Sequence, residues 1–144
     1  MADSPNAYVL DSFALLAYLE GEAGMARVRS VLDGAEAERH TVYISVINVG
    51  EVLYITERER GLREARQTLA AIDQLPLDIV EVSRPTVLAA AHIKARFAIS
   101  YADAFAVVTA HGHEGVVMTG DPEFEPLVEA GVVRVAWLPR RGPS

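Results

Sequence analysis

The sequence contains no cysteine, which excludes disulfide staples, thiolate metal sites and cysteine nucleophiles. An uncrosslinked chain suits a reducing cytosol. Lysine is nearly as scarce: of the 13 basic residues 12 are arginine, a bias read as base composition, and Lys94 is the single lysine. Against them stand 20 acids, for a formal net charge of −7, which argues against a protein that grips phosphates through a basic surface. Long apolar runs are also missing. Residues 13–19 are far short of the roughly 20 needed to span a bilayer, and residues 1–6 carry no basic leader region. The expectation is a cytoplasmic protein with no membrane partner.

What is present is an ordinary globular composition: 144 residues, 51% hydrophobic and 23% charged, enough to bury a sizeable core in a single domain. No repeat interrupts it. Only residues 1–6 and 140–144 read as linker, so one domain is expected over 1–144 with its core at about 8–135. Continuous apolar runs at 8–10, 42–45, 79–82, 116–118 and 132–135 read as strands buried on both faces. Helical patterns occupy 13–20, 24–36, 46–60, 63–74, 85–95 and 101–110, with a shorter one at 123–129. This alternation predicts an α/β sandwich with a mainly parallel sheet of about five short strands. Ligands of such sheets sit beyond the carboxyl ends of the strands, so residues just after a strand are the first candidates for a site.

Four acids stand out by position. Asp11 follows the first strand and is the only charge between Asp3 and Glu20; it also fits as the cap of the next helix. Glu51 is the only charge from Thr41 to Thr56, on an apolar helix where an unpaired buried carboxylate costs several kcal/mol. Gly50 beside it weakens the helix by about 1 kcal/mol relative to Ala, which points to close packing or a close backbone approach there. Asp103 is the only charge between Arg96 and Glu114, and stands three residues after Ser100 in the manner of a capping box. Asp121 lies directly after the fourth strand and precedes Pro122, a cap followed by a helix-starting proline. Capping explains three of the four one at a time. As a set they would meet at one sheet edge, where carboxylates about 4 Å apart repel by roughly 4 kcal/mol per pair at a dielectric near 20. Such a site needs a cation or shifted pKa values, and all-oxygen ligands favour Mg²⁺ or Mn²⁺ over zinc.

These residues carry a resemblance. The segments 9–19, 45–54, 100–106 and 119–124, taken in order, resemble the PIN domain and, more narrowly, the VapC toxins of VapBC toxin–antitoxin systems, over about 8–135. A lone Thr-Gly-Asp is a weak signal, but four segments in the right order and spacing are a strong one. The resemblance implies a PIN-like three-layer sandwich and a metal-dependent endoribonuclease hydrolysing RNA phosphodiester bonds. Asp11, Glu51, Asp103 and Asp121 match the family's acidic quartet as catalytic residues and ligands of Mg²⁺ or Mn²⁺, with Ser12 and Thr119 supporting them. It also implies in-line attack by water with one or two ions, a homodimer, and a VapB-type antitoxin over the acidic cleft. Two readings within the fold stay open: an RNA-processing nuclease that is not a toxin, and a catalytically silent scaffold. A receiver-type signalling domain would place a lysine after its last strand, whereas Lys94 lies in a helical stretch before Asp103.

The remaining features read more plainly. Glu20 and Glu123 are expected to be solvated charges rather than accessory acids of the site. His111 and His113 have a zinc-like spacing but no third ligand, and read as helix-end residues. Arg58, Arg60, Arg63 and Arg66 interleave with Glu57, Glu59 and Glu64 as a solvated face, whereas Arg84, Lys94 and Arg96 have no local acid to offset them and are the better phosphate contacts. Tyr54, Phe97, Phe105 and Trp137 are expected in the core or an interface rather than as base-stacking platforms.

Overall fold

The computed structural model describes residues 4–139. Most of the two linker-like ends, with Arg140 and Arg141, lies outside the described residues. Five parallel strands, β1 (Ala7–Leu10), β2 (Thr41–Ser45), β3 (Asp78–Val80), β4 (Val116–Thr119) and β5 (Val135–Trp137), pair in the order β3-β2-β1-β4-β5. Helices cover both faces. Val9 and Val117 point to one side, against α5 (Arg84–Arg96), α6 (Tyr101–His113) and α7 (Glu125–Glu129). Their sequence neighbours Leu10 and Met118 point to the other, against α1 (Ser12–Glu20), α2 (Met25–Glu36), α3 (Val46–Arg60) and α4 (Leu62–Ile72). Strands with a core on each face need apolar residues at every position, which is why they appear as unbroken runs. The result is the expected three-layer α/β sandwich. No helix among the described residues is long and apolar enough to cross a membrane.

Local chemistry sets the element ends. Asp11 caps α1, and Gly21 in the left-handed conformation (φ 67°) closes it. Ser45 caps α3, and Ser83 with Thr86 forms a full capping box on α5. Two expected elements moved. The last strand is Val135–Trp137 rather than 132–135, because Gly131 (φ 73°) turns the chain out of α7 and the Val132 N–H closes that helix on the Leu127 carbonyl. Val133 still enters the core, as part of a helix exit. The third strand stops at Val80 rather than 82, since its partner β2 ends at Ser45, opposite Val80. The short pattern at 123–129 divides into a 3-10 turn, Pro122–Phe124, and α7, with Pro126 at the start of α7, where its missing N–H costs nothing.

Because β1 connects to β2 on one side while β4 lies on its other side, the sheet changes direction between β1 and β4. This is where α/β sheets open a crevice for ligands. Asp11 and Asp121 follow these two strands.

Candidate active site

Asp11 is fully buried at the carboxyl end of β1. Its Oδ1 accepts the Ala14 N–H at 2.8 Å, so the capping reading is correct, but Oδ2 is buried without a hydrogen-bond partner among the described residues. A cap needs one oxygen; the second is left for something else. Burial pushes the Asp11 carboxyl up to about 8. The Thr119 hydroxyl and the Ala14 amide pull it down, while the charges of Asp103 and Asp121 add to the rise.

Asp103 sits in the first turn of α6, a helix buried without a break from Asp103 to Ala110. Ser100 Oγ accepts the Asp103 N–H at 3.1 Å, the first half of the expected capping box. The carboxylate itself belongs to the acidic cluster. Burial, then the charge of Asp121, raises it to about 7, with Glu51 and Glu123 adding to the shift and Ser100 opposing it.

Asp121 caps the 3-10 turn through Oδ1, which accepts the Glu123 N–H at 2.9 Å, and its own N–H bonds to Thr119 Oγ1 at 3.0 Å. The turn swings Glu123 back toward the cluster. Carboxylate oxygens of Asp103, Asp121 and Glu123 all lie within 4.8 Å of one another. Glu123 is exposed, as expected of a solvated charge, yet its carboxylate stands at the edge of the acidic cluster. Glu20 is elsewhere: it faces Arg60 at 3.8 Å.

Glu51 is half-buried on α3, and its charge reaches Asp103. The residue that ties the helices together is Asn48, for which the sequence reading had no role. Its Nδ2 donates to Ser12 Oγ at 3.0 Å and to the Ala102 carbonyl at 3.3 Å, joining α1, α3 and the peptide before Asp103. Ser12 Oγ returns a bond to the Asn48 carbonyl at 3.4 Å. The available signal was a lone amide in the apolar stretch 46–54, one helical turn before Glu51 and on the same face.

Gly120 lets the chain pass close to this junction. A Cβ there would lie 2.5 Å from two Phe13 ring carbons and 3.2 Å from the Leu138 carbonyl oxygen. Gly120→Ala is expected to cost about 1–3 kcal/mol by displacing Phe13, two residues from Asp11, and urea denaturation would measure it. A stability equal to wild type would show that the ring moves freely.

The other candidates have structural partners. His111 Nε2 lies 2.6 Å from the Val132 carbonyl and His113 stacks on Tyr43 at 3.9 Å, so the two rings serve different contacts as helix-end residues. Arg84, Lys94 and Arg96 lie exposed on α5, and Arg58 and Arg60 find Tyr54 and Glu20 along the α3 face. Phe105 is core, and Phe97 and Trp137 pack partly buried against it. Tyr54 is not core: it is 51% exposed, beside Glu51.

Asp11, Asp103 and Asp121 make no ion pair within 4 Å among the described residues. The donors are all carboxylate oxygens, two of the acids are raised by burial with their neighbours' charges adding to it, and one buried oxygen has no partner among the described residues. A hard divalent cation fits that set; zinc, which prefers nitrogen and sulfur, fits it poorly.

The sequence profile of the PIN-domain family matches residues 8–128. The chain is a PIN-domain protein. This PIN domain also resembles solved structures: VapBC2 from Rickettsia felis bound to a promoter DNA fragment (TM-score 0.70, 14% identity, covering 92% of this chain and 99% of that one) and DNA-bound VapBC from Salmonella typhimurium (0.70, 18%, 91% and 97%). A third is VapC20 from Mycobacterium tuberculosis, named as a sarcin–ricin loop cleaving toxin (0.64, 19%, 83% and 93%). At these identities the likeness is one of fold. No curated protein sequence matches the chain at a significant level.

Proposed function

We propose that this PIN domain is a metal-dependent endoribonuclease and the toxin of a VapBC-type toxin–antitoxin pair, working in the cytoplasm as a homodimer held silent by a VapB-type antitoxin. The observation that carries the nuclease reading is the group of acids at the sheet's carboxyl edge: Asp103, Asp121 and Glu123 cluster, buried Asp11 feels the charges of both aspartates, and none of the three aspartates is paired with a cation among the described residues. The toxin and antitoxin reading is supported by the fold likeness to chains whose structures are named as VapBC complexes. The likeness to a sarcin–ricin loop cleaving toxin supports RNA as the substrate class.

Asp11, Asp103 and Asp121, with Glu51 and Glu123 at the rim, would hold Mg²⁺ or Mn²⁺. Such an ion would supply charge neutralisation at the phosphodiester and a lowered pKa for the attacking water. The chain's own residues do the rest. Asn48 and Ser12 fix α1, α3 and α6 relative to one another, and Thr119 holds the Asp121 backbone. Without an ion, burial and the charge of Asp121 raise Asp103 to about 7, so it holds a proton that a bound ion would displace. The cluster repels an RNA backbone when empty, so productive binding depends on metal.

Total RNA incubated with the protein in Mg²⁺, Mn²⁺ or EDTA, with ends mapped, tests this reading. Discrete cuts in either metal and none in EDTA are expected. Cutting that is unchanged in EDTA would overturn it.

A further inference from the structure

Beside the acidic cluster lies an open recess of about 510 Å³, bounded by Gly50, Glu51 and Tyr54 on α3 and by Ser100 and Tyr101 at the entry to α6. Its volume is in the range of small-molecule sites. It shares a wall with the cluster, since Glu51 both borders the recess and contributes its charge at Asp103.

Two aromatic rings flank the recess, and both are unusually open: Tyr54 is 51% and Tyr101 44% exposed. Neither is loose. Tyr54 lies under the Arg58 guanidinium, 5.3 Å from its centroid, with its hydroxyl 3.5 Å from Glu51 Oε2. Tyr101 leans on Phe105, ring centroids 5.1 Å apart. Held aromatic rings about half exposed beside the acidic cluster have the form of a stacking platform, the common means of holding unpaired bases.

Gly50 adds an independent observation. In the middle of α3 it costs the helix up to about 1 kcal/mol relative to Ala. The expected compensation, close packing within the chain, is missing: a Cβ at Gly50 would meet nothing within 4 Å. The bare backbone therefore faces the recess and keeps it open toward whatever enters from outside. By contrast, the groove lined by Leu16, Glu20, Thr56, Arg60 and Glu64 touches none of the clustered acids.

We infer that this recess receives an unpaired nucleobase of the RNA next to the cleaved phosphodiester, stacked on Tyr54 and Tyr101, with Gly50 leaving room for it. The inference rests on the nuclease reading above and adds the determinant of sequence preference. A nucleotide suits the recess because Glu51 on its wall also acts on Asp103, so a base seated there lies beside the carboxylates at which the phosphodiester would be cut.

The test uses a short single-stranded oligoribonucleotide carrying 2-aminopurine, whose fluorescence is quenched on stacking, with Ca²⁺ replacing Mg²⁺, alongside end mapping of total RNA in Mg²⁺. Tyr54→Ala and Tyr101→Ala should each weaken oligonucleotide binding about five- to a hundredfold, the range for losing one base–aromatic stack, and broaden the cut-site preference. Tyr54→Phe should retain quenching. Gly50→Leu should fill the recess and give the same loss while keeping or raising the melting temperature, since Leu suits a helix better than Gly. Wild-type quenching and unchanged cut sites in Tyr54→Ala, Tyr101→Ala and Gly50→Leu would overturn the inference and leave the nuclease reading standing. So would a Gly50→Leu protein that changes only from dimer to monomer by sedimentation, which would assign the recess to a second copy. A wild-type protein that cuts no RNA in any metal would overturn both.

Discussion

Asp11→Asn is expected to abolish RNA cleavage and, in the metal-free protein at pH 8, to raise the melting temperature. The two effects have one cause. Asp11 is fully buried, one of its oxygens has no hydrogen-bond partner, and its carboxyl is pushed up to about 8 by burial with the charges of Asp103 and Asp121 adding to it. The fold pays for keeping an ionisable group where its charge is least welcome. Asparagine is nearly the same size, keeps an oxygen for the Ala14 N–H and carries no charge, so the capping bond survives while the repulsion disappears. A rise of about 5 °C or more is expected at pH 8, shrinking as the pH falls to the ordinary aspartate value of 3.8 and below, where the wild-type aspartate keeps its proton in the unfolded chain as well. Cleavage should fall by about a thousandfold or more, the scale on which losing an essential electrostatic group acts. Differential scanning fluorimetry in EDTA and a gel assay in Mn²⁺ give the two readouts. A folded Asn variant that still cuts RNA would remove Asp11 from the site, and a lower melting temperature at pH 8 would mean that the native state welcomes the charge.

Much of this was legible in the sequence because each signal was local. Helix α3 starts and stops where the apolar run and the charged run Glu57 to Arg60 place it, and the caps Asp11, Ser100 and Asp121 all lie where the pattern puts them. The isolation of Asp11, Glu51 and Asp103 in apolar segments marked them as needing partners, and Asp121 was marked by its place after a strand. The structure shows that capping and clustering are compatible, since Asp11 and Asp121 each cap with one oxygen.

What was not legible depended on geometry that no single segment carries. Glu123 has Glu125 and Glu129 near it in sequence and looks solvated; only the 3-10 turn capped by Asp121 brings it beside Asp103. Asn48 is neutral and gave no electrostatic signal, although it links three helices. Tyr54 looked like core because its neighbours are apolar, yet α3 turns that side outward. The apolar pair Val132 and Val133 imitated a strand because a helix exit that buries Val133 has the same composition as a strand end.

Stability of the metal-free protein is expected to fall as the pH rises from 5 to 8, and Mg²⁺ or Mn²⁺ should reverse that fall. An aspartate whose native pKa lies above its unfolded value keeps its proton in the folded state after the unfolded chain has released it. The native state then binds more protons, and the free energy of unfolding drops with rising pH by up to about 1.4 kcal/mol per unit for each such group. For Asp103, raised to about 7, and Asp11, raised to about 8, the fall begins near pH 4 and ends as each native pKa is passed. A divalent ion needs the same carboxylates ionised, so it competes with their protons and binds more tightly as the pH rises. At a hundredfold excess over its dissociation constant it adds about 2.7 kcal/mol at pH 8, and far less at pH 5, where both aspartates hold protons. Melting temperatures at pH 5, 6.5 and 8, in EDTA and in Mn²⁺, separate the possibilities. A metal-free curve flat in pH would remove the buried charge as a cost to the fold, and equal stabilisation by Mn²⁺ at pH 5 and pH 8 would place the ion on groups other than Asp11 and Asp103.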